Sequence, residues 1–96
     1  MDLPEEFEWD EHNREKNWIK HQINTDECEQ IFQNVPLVIV KDIKHSEREV
    51  RYIALGKTQK NLHLYIVFTI RHNAIRIISA RQQNRKERRY YEKTKN

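Results

Sequence analysis

The 96-residue chain has one glycine, Gly56, one cysteine, Cys28, and two prolines, Pro4 and Pro36. A single glycine excludes a glycine-rich phosphate-binding loop, and so little glycine and proline excludes a low-complexity disordered chain. One cysteine excludes a disulfide framework and a cysteine-rich zinc site, and it fits a reducing compartment such as the cytoplasm. No uninterrupted apolar run approaches the roughly 18 residues of a membrane helix. The acidic start Met-Asp-Leu-Pro-Glu-Glu is not expected to act as a secretory signal. What is present, 36% hydrophobic and 34% charged residues, fits one small domain with a thin core. That domain is expected to span 1–96, with its ordered core over about 7–92. There is no internal repeat, linker composition or low-complexity block.

The net charge of +3 conceals an asymmetry. Residues 1–48 carry six Lys and Arg against twelve Asp and Glu, a net of −6; residues 49–96 carry twelve against three, a net of +9. Nine of the later cations lie between Arg71 and Lys95, and arginine predominates: Arg71, Arg76, Arg81, Arg85, Arg88 and Arg89. A cationic half of this kind suits an anionic partner. The guanidinium fork suits bidentate contact with phosphate better than an ammonium does. The competing reading is a solvated face neutralised by the chain's own acidic half.

Phe7-Glu8-Trp9 alternates as a short strand would. Asp10 then caps a surface helix over about 11–21, with Glu11 and Glu15 near its start and Lys20 and His21 near its end, the order that complements the helix dipole. Asn24 and Glu27 form a capping-box pattern for a second helix that buries Cys28, Ile31 and Phe32 and ends at Asn34 and Pro36. From Leu37 the period changes. Leu37-Val38-Ile39-Val40 reads as a well-buried strand, Lys44-His45-Ser46-Glu47 as a polar loop, Val50–Leu55 as an alternating strand, and Gly56 as the opening of a turn. Leu62–Arg71 is the clearest strand, with Leu62, Leu64, Ile66, Phe68 and Ile70 on one face and His63, Tyr65, Val67, Thr69 and Arg71 on the other. His72-Asn73 reads as a tight turn. The last strand, Ala74–Arg81, places Ile75, Ile77, Ser79 and Arg81 on one side and Arg76 and Ile78 on the other. Asn84 and Glu87 form a second capping-box pattern, opening a basic helix to about Lys93 that carries Tyr90 and Tyr91, after which the chain is expected to fray. Helices followed by strands, without β-α-β alternation, predict an α+β fold. It would hold an antiparallel sheet of about four strands, two N-terminal helices on one face, and a C-terminal basic helix.

Five histidines, His12, His21, His45, His63 and His72, invite a metal reading, but no HExxH pattern or cysteine partner supports one. No metal and no cofactor are therefore expected, and His12 and His63 read as exposed. Cys28 reads as a core thiol rather than a nucleophile. His21 suits proton transfer near neutral pH, but its local setting beside Lys20 favours the plainer role of a helix C-terminal residue that complements the dipole. Arg51, Tyr65, Arg71, Arg76 and Arg81 lie on or beside strands that should be neighbours. Converging on one sheet face, they would contact phosphates and offer a ring for base stacking. RNA is the polymer this set fits best. Its 2′-hydroxyl attacks the adjacent phosphate when a base, a group of cations and an acid are supplied, all roles open to Arg, His, Lys and Tyr. A non-catalytic nucleic-acid-binding module, or a protein-interaction module with an acidic partner, would show the same residues.

The ordered motifs resemble the BrnT toxin family. Phe7-Glu8-Trp9-Asp10, then Asn17, then Lys20-His21, are similar to that family's opening pattern. His45-Ser46-Glu47 followed by Arg51, and Ala54-Leu55-Gly56, also match. The strongest likeness is Ile75-Arg76-Ile77-Ile78-Ser79-Ala80-Arg81, followed by Glu87-Arg88-Arg89 and Tyr91. The resemblance covers about residues 7–92. Two departures stand out. Asn13 replaces a frequent lysine, removing a cation, and Gln22 replaces the glycine after Lys-His that would ordinarily close the helix turn.

The resemblance implies a RelE-like fold and a ribonuclease toxin of a type II toxin–antitoxin pair that inhibits translation. It also implies a small BrnA antitoxin with a ribbon-helix-helix DNA-binding part, which occludes the toxin. Operator DNA would then be met only through the complex, with no membrane involved; a homodimer is compatible with this. RelE-like toxins use strand-borne arginines, which implies Arg51, Arg71 and Arg81 around the scissile phosphate. Lys20, His21 or Tyr91 would transfer protons, and Arg76, Arg88 and Arg89 would hold the RNA backbone.

Overall fold

The computed structural model describes residues 2–15 and 20–94. The elements are α1 (Glu11–Arg14), α2 (Thr25–Gln33), β1 (Val38–Lys41), a 3-10 turn (Ile43–His45), β2 (Tyr52–Lys57), β3 (His63–Arg71), β4 (Ala74–Gln82) and α3 (Arg85–Lys93). The four strands form one antiparallel meander in the order β1-β2-β3-β4. This is the α+β arrangement expected from the order of helical and strand periods, with α1 and α2 before the sheet and α3 after it among the described residues. Residues 16–19, the middle of the first expected helix, lie outside the described residues. Lys20 and His21 beyond them are helical and exposed.

Ala54, Leu64, Ile66, Phe68, Ile75, Ile77 and Ala80 line one sheet face and pack with Ile23, Cys28 and Ile31 into the core. The capping box at the start of α2 is realised: Asn24 Oδ1 accepts from Glu27 N at 2.8 Å, and Glu27 Oε1 accepts from Asn24 N at 3.0 Å. Two donors that a helix end leaves unpaired are thereby satisfied. Burial in this core, with Glu27 and Glu29 adding repulsion, pushes the Cys28 thiol up to about 12, consistent with an inert core residue.

Gly56 does not open a turn. It sits inside β2, opposite Leu64, where α2 crosses the sheet. A Cβ at Gly56 would stand 2.8 Å from Ile31 Cβ, an atom fixed close to the helix backbone. Gly56→Ala is expected to lower stability by ~1–3 kcal/mol through overpacking. The shift in the urea midpoint measures it; a midpoint at or above wild type would show that the α2 crossing is not a tight contact.

β1 also differs from expectation. Its apolar run occupies the outer edge of the sheet rather than the interior, and Val40 is 41% exposed. Continuous β-branched character specifies a strand, but the strand's place depends on how the meander closes. At the opposite edge, β4 is covered by the N-terminal segment. Phe7 bridges Ile75 in parallel, and Ile75 N donates to Glu6 O at 2.8 Å. Buried Asn13 then donates to both Glu8 O and Ile77 O. Asn13 is thus a clamp on the β4 edge.

A bulge in β4 reverses one expectation. Phe68 pairs with Ile77, yet Val67 pairs with Ser79, so Ile78 is an extra residue. It resets the alternation: Arg76 opposes Thr69 and Arg81 opposes Tyr65, and the two arginines share the face away from α2. The β3–β4 hairpin turns at His72 and Asn73, both with positive φ, 53° and 57°, as a two-residue primed turn requires.

Gln22 also has φ 57°, the left-handed conformation that follows a helix and favours glycine. Gln22→Gly is expected to raise stability by ~1 kcal/mol, seen as a thermal midpoint higher by ~4–8 °C. An unchanged or lower midpoint would contradict the strain assigned to Gln22.

Candidate functional site

The sheet face away from α2 carries the arginines. At one end α3 lies across it. The hydroxyl of buried Tyr91 donates to Pro36 O at 2.6 Å, and its ring meets His63 edge-on at 5.6 Å. His63 is therefore partly covered rather than exposed. That burial, with the Arg88 cation nearby, holds its imidazole below the ordinary 6.5. Beside it, Arg81 makes a bidentate pair with Glu87, 2.8 Å on each arm, and lies 3.9 Å over the Tyr65 ring. The Arg81 hydrogen bonds are the main reason the Glu87 carboxyl sits below the ordinary 4.5.

The other end of the face gathers charge from three segments. Arg51 Nη2 lies 3.8 Å from Glu49 Oε1, and Arg71 Nη2 lies 3.9 Å from Glu49 Oε2. A single carboxylate thus spans two guanidiniums. Arg76 pairs with Glu8 at 3.1 Å and Asp10 at 2.8 Å, and Glu8 also meets Arg71 and His72. The His72 hydrogen bond contributes most to lowering the Glu8 carboxyl, with burial opposing it and Arg71 and Arg76 reinforcing it. For Asp10 burial is the largest influence and opposes the shift, yet the hydrogen bonds from Arg76 and from the amides of Asn13 and His12 prevail and hold the carboxyl below its ordinary value.

These shifts share one sign. Glu8, Asp10, Glu87 and His63 all bind protons less readily in the fold than as free side chains. Each contributes stability above its ordinary pKa that is lost as pH falls through the folded value. The urea midpoint is expected to begin declining below about pH 6.5 as His63 protonates, and to fall more steeply below about pH 4.5 as the carboxylates do. A flat profile from pH 7 to 3 would contradict it.

The loop joining β1 to β2, residues 42–51, forms a cleft of about 500 Å³ lined by Lys44, His45, Glu47, Arg48, Glu49 and Arg51. Ser46 holds it closed: Oγ donates to Asp42 O and accepts from Arg51 N at 3.0 Å, while Asp42 N donates to Arg51 O at 2.8 Å. His45 Nδ1 lies 3.0 Å from an Asp42 carboxylate oxygen. The Asp42 side chain is 12% exposed, the His45 side chain 60%. A histidine oriented by a largely covered carboxylate, beside three cations, is an arrangement suited to proton transfer next to an anion.

The structure therefore brings Arg51 and Arg71 together through Glu49, with Arg76 beside Arg71. It does not bring Arg81 to them. Arg81 is aligned with Tyr65, six residues along β3 from Arg71, ~20 Å at the usual strand rise. Its guanidinium is engaged by Glu87. The Tyr91 hydroxyl is engaged inside the fold. Lys20 and His21 are exposed and form no hydrogen bond or ion pair with other described residues. Arg88 and Arg89 are exposed on α3, where with Arg85 and Glu92 they line a shallow depression. Sequence reasoning passed over Asp42, Arg48 and Glu49, placed Lys44 only in a polar loop, and met His45 as a loop residue, a possible metal ligand and part of a family motif, without a role in proton transfer. The signal was the Asp42–His45 spacing followed by Arg48 and Arg51.

A small α+β domain with one helix-covered sheet face and one cationic face, opening into a polar cleft, is the class the fold and the charges define. The profile of the ribonuclease toxin BrnT of type II toxin–antitoxin systems matches residues 9–87. The chain belongs to this family of ribonuclease toxins. A search of curated proteins finds no match.

Proposed function

We propose that this chain is a metal-independent endoribonuclease that cleaves RNA, inhibits translation in the cytoplasm, and is neutralised by a BrnA-like ribbon-helix-helix antitoxin. Family membership supplies the ribonuclease class. The observation that carries the finer reading is the pair Arg51 and Arg71 facing one carboxylate. The Glu49 carboxylate already stands between their guanidiniums, one oxygen toward each, where an RNA phosphate would be held after displacing it. The two cations offset charge as it builds on the crowded phosphorus, the largest contribution such sites make.

In this reading the RNA backbone runs from the loop cleft across the sheet. Arg76, Arg88 and Arg89 contact phosphates, and Arg81 with Tyr65 forms a stacking platform at the far end. The antitoxin covers the same cationic face. It must supply carboxylates or carbonyl oxygens to it, because unpaired buried guanidiniums are costly. Operator DNA is reached only through that complex.

The test is incubation of purified protein with labelled RNA and EDTA, together with induction of the chain in cells with and without the antitoxin. Scission in EDTA and growth arrest relieved by the antitoxin are expected. RNA binding without scission in vitro, and no arrest in cells, would overturn the enzyme reading in favour of a binding module.

A further inference from the structure

The geometry points to the β1–β2 loop as the catalytic centre, with His45 as the general base for the RNA 2′-hydroxyl and Asp42 as its positioning residue. This rests on the ribonuclease reading and adds to it the group that moves the proton.

Position comes first. The hydrogen bonds of Ser46 to Asp42 and Arg51 tie both ends of the loop together. They place His45 in the same cleft as Arg48 and Arg51. Through Glu49, Arg51 adjoins Arg71. A phosphate between the two arginines would therefore lie beside the cleft that holds the imidazole.

Chemistry comes second. The Asp42 carboxylate accepts from Nδ1 of His45, which fixes the tautomer and leaves Nε2 with a free lone pair. Among the described residues Nε2 has no hydrogen-bond partner. The other histidines do not combine these features: the His63 Nδ1 is bound to Asn61 O and its ring lies against Tyr91, and His72 sits on the β3–β4 turn, bonded to Glu8, which Arg76 also holds.

The step balances without a further reagent. Nε2 of His45 takes the 2′-hydroxyl proton, and the 2′-oxygen forms a bond to phosphorus. The bond from phosphorus to the 5′-oxygen breaks, and that oxygen takes a proton from solvent water. The imidazolium, stabilised by Asp42, returns its proton to the resulting hydroxide. The products are a 2′,3′-cyclic phosphate and a 5′-hydroxyl. Lys44, Glu47, Arg48, Glu49 and Arg51 share the cleft and set the field around His45.

The experiment compares wild type, His45→Ala and Asp42→Asn for cleavage of labelled RNA, free and on translating ribosomes, across pH 5 to 9, with RNA affinity measured in parallel. His45→Ala is expected to lose at least ~100-fold in rate with affinity within a few-fold of wild type, and to regain part of the rate with added imidazole. Asp42→Asn is expected to lower kcat by ~10-fold or more with KM for RNA little changed, and Asp42→Glu to recover part of that loss, a split and a rescue that a purely structural defect would not give. If wild type cleaves and His45→Ala cleaves at the same rate, the assignment to His45 is wrong and the ribonuclease reading stands. If wild type cleaves neither free nor ribosome-bound RNA, the ribonuclease reading fails and the inference falls with it.

Discussion

Arg51→Ala is expected to lower RNA cleavage by ~100- to 1,000-fold, the loss that follows removal of one preorganised donor to a developing oxyanion. Arg51 is the residue common to the two halves of the site, lining the loop cleft and adjoining Arg71 through Glu49. Its backbone also closes the loop on Ser46 and Asp42, an interaction that alanine keeps. The variant should therefore fold, which the thermal midpoint checks. Arg51→Lys retains a charge but loses the planar fork, so it should recover only part of the rate. RNA affinity should change far less than the rate, with the salt slope reduced by ~1. Wild-type cleavage by a folded Arg51→Ala would remove Arg51 from the chemistry. Arg81→Ala makes the contrast: its guanidinium is held by Glu87 above Tyr65 at the far end of β3, so its expected effect is on RNA affinity and on the docking of α3.

Tyr91→Ala is expected to cost ~3–5 kcal/mol, as for other large buried aromatic side chains. That is a large share of the ~5–15 kcal/mol that holds a domain together. Tyr91 is 1% exposed and is the residue by which α3 enters the fold. Its hydroxyl reaches Pro36 O, 55 positions earlier in the chain. Tyr91→Phe keeps the ring and loses one hydrogen bond, leaving the Pro36 carbonyl without it, at ~1–2 kcal/mol. Denaturant titration of both variants measures these costs. Cleavage by Tyr91→Phe separates structure from chemistry: a folded variant cleaving at the wild-type rate places Tyr91 in the scaffold, whereas loss of cleavage with stability retained would restore it as a proton-transfer group.

The local signals were legible because each depends on only a few neighbouring residues. The capping boxes Asn24–Glu27 and Asn84–Glu87 both formed, since a cap needs one side chain within reach of an amide three positions on. The His72-Asn73 turn formed, and the Leu62–Arg71 alternation became β3 with the expected faces, because a two-residue period admits one pattern. The charge asymmetry was a plain count. The family likeness was carried by ordered motifs spread along the chain, and the profile match over residues 9–87 agrees with it.

Other features appeared only once distant segments met. Gly56 looked like a turn because glycine usually punctuates; its role is the space α2 needs, set by Ile31, 25 positions earlier in the chain. The bulge at Ile78 has no signature in the β4 sequence, because a bulge is a relation between two strands, and it alone puts Arg76 on the same face as Arg81. The candidate arginines looked alike in one dimension. Pairing register and the carboxylates of Glu8, Glu49 and Glu87 sorted them into a joined pair, a neighbour and a distant platform. By itself the sequence determined the elements, the sign of the charge and the family, all of which follow from spacing and composition. Tertiary structure alone decided which cations meet at one point and that the local Asp42–His45 pair stands in the same cleft as Arg51, because distances between side chains depend on how strands pair and loops close.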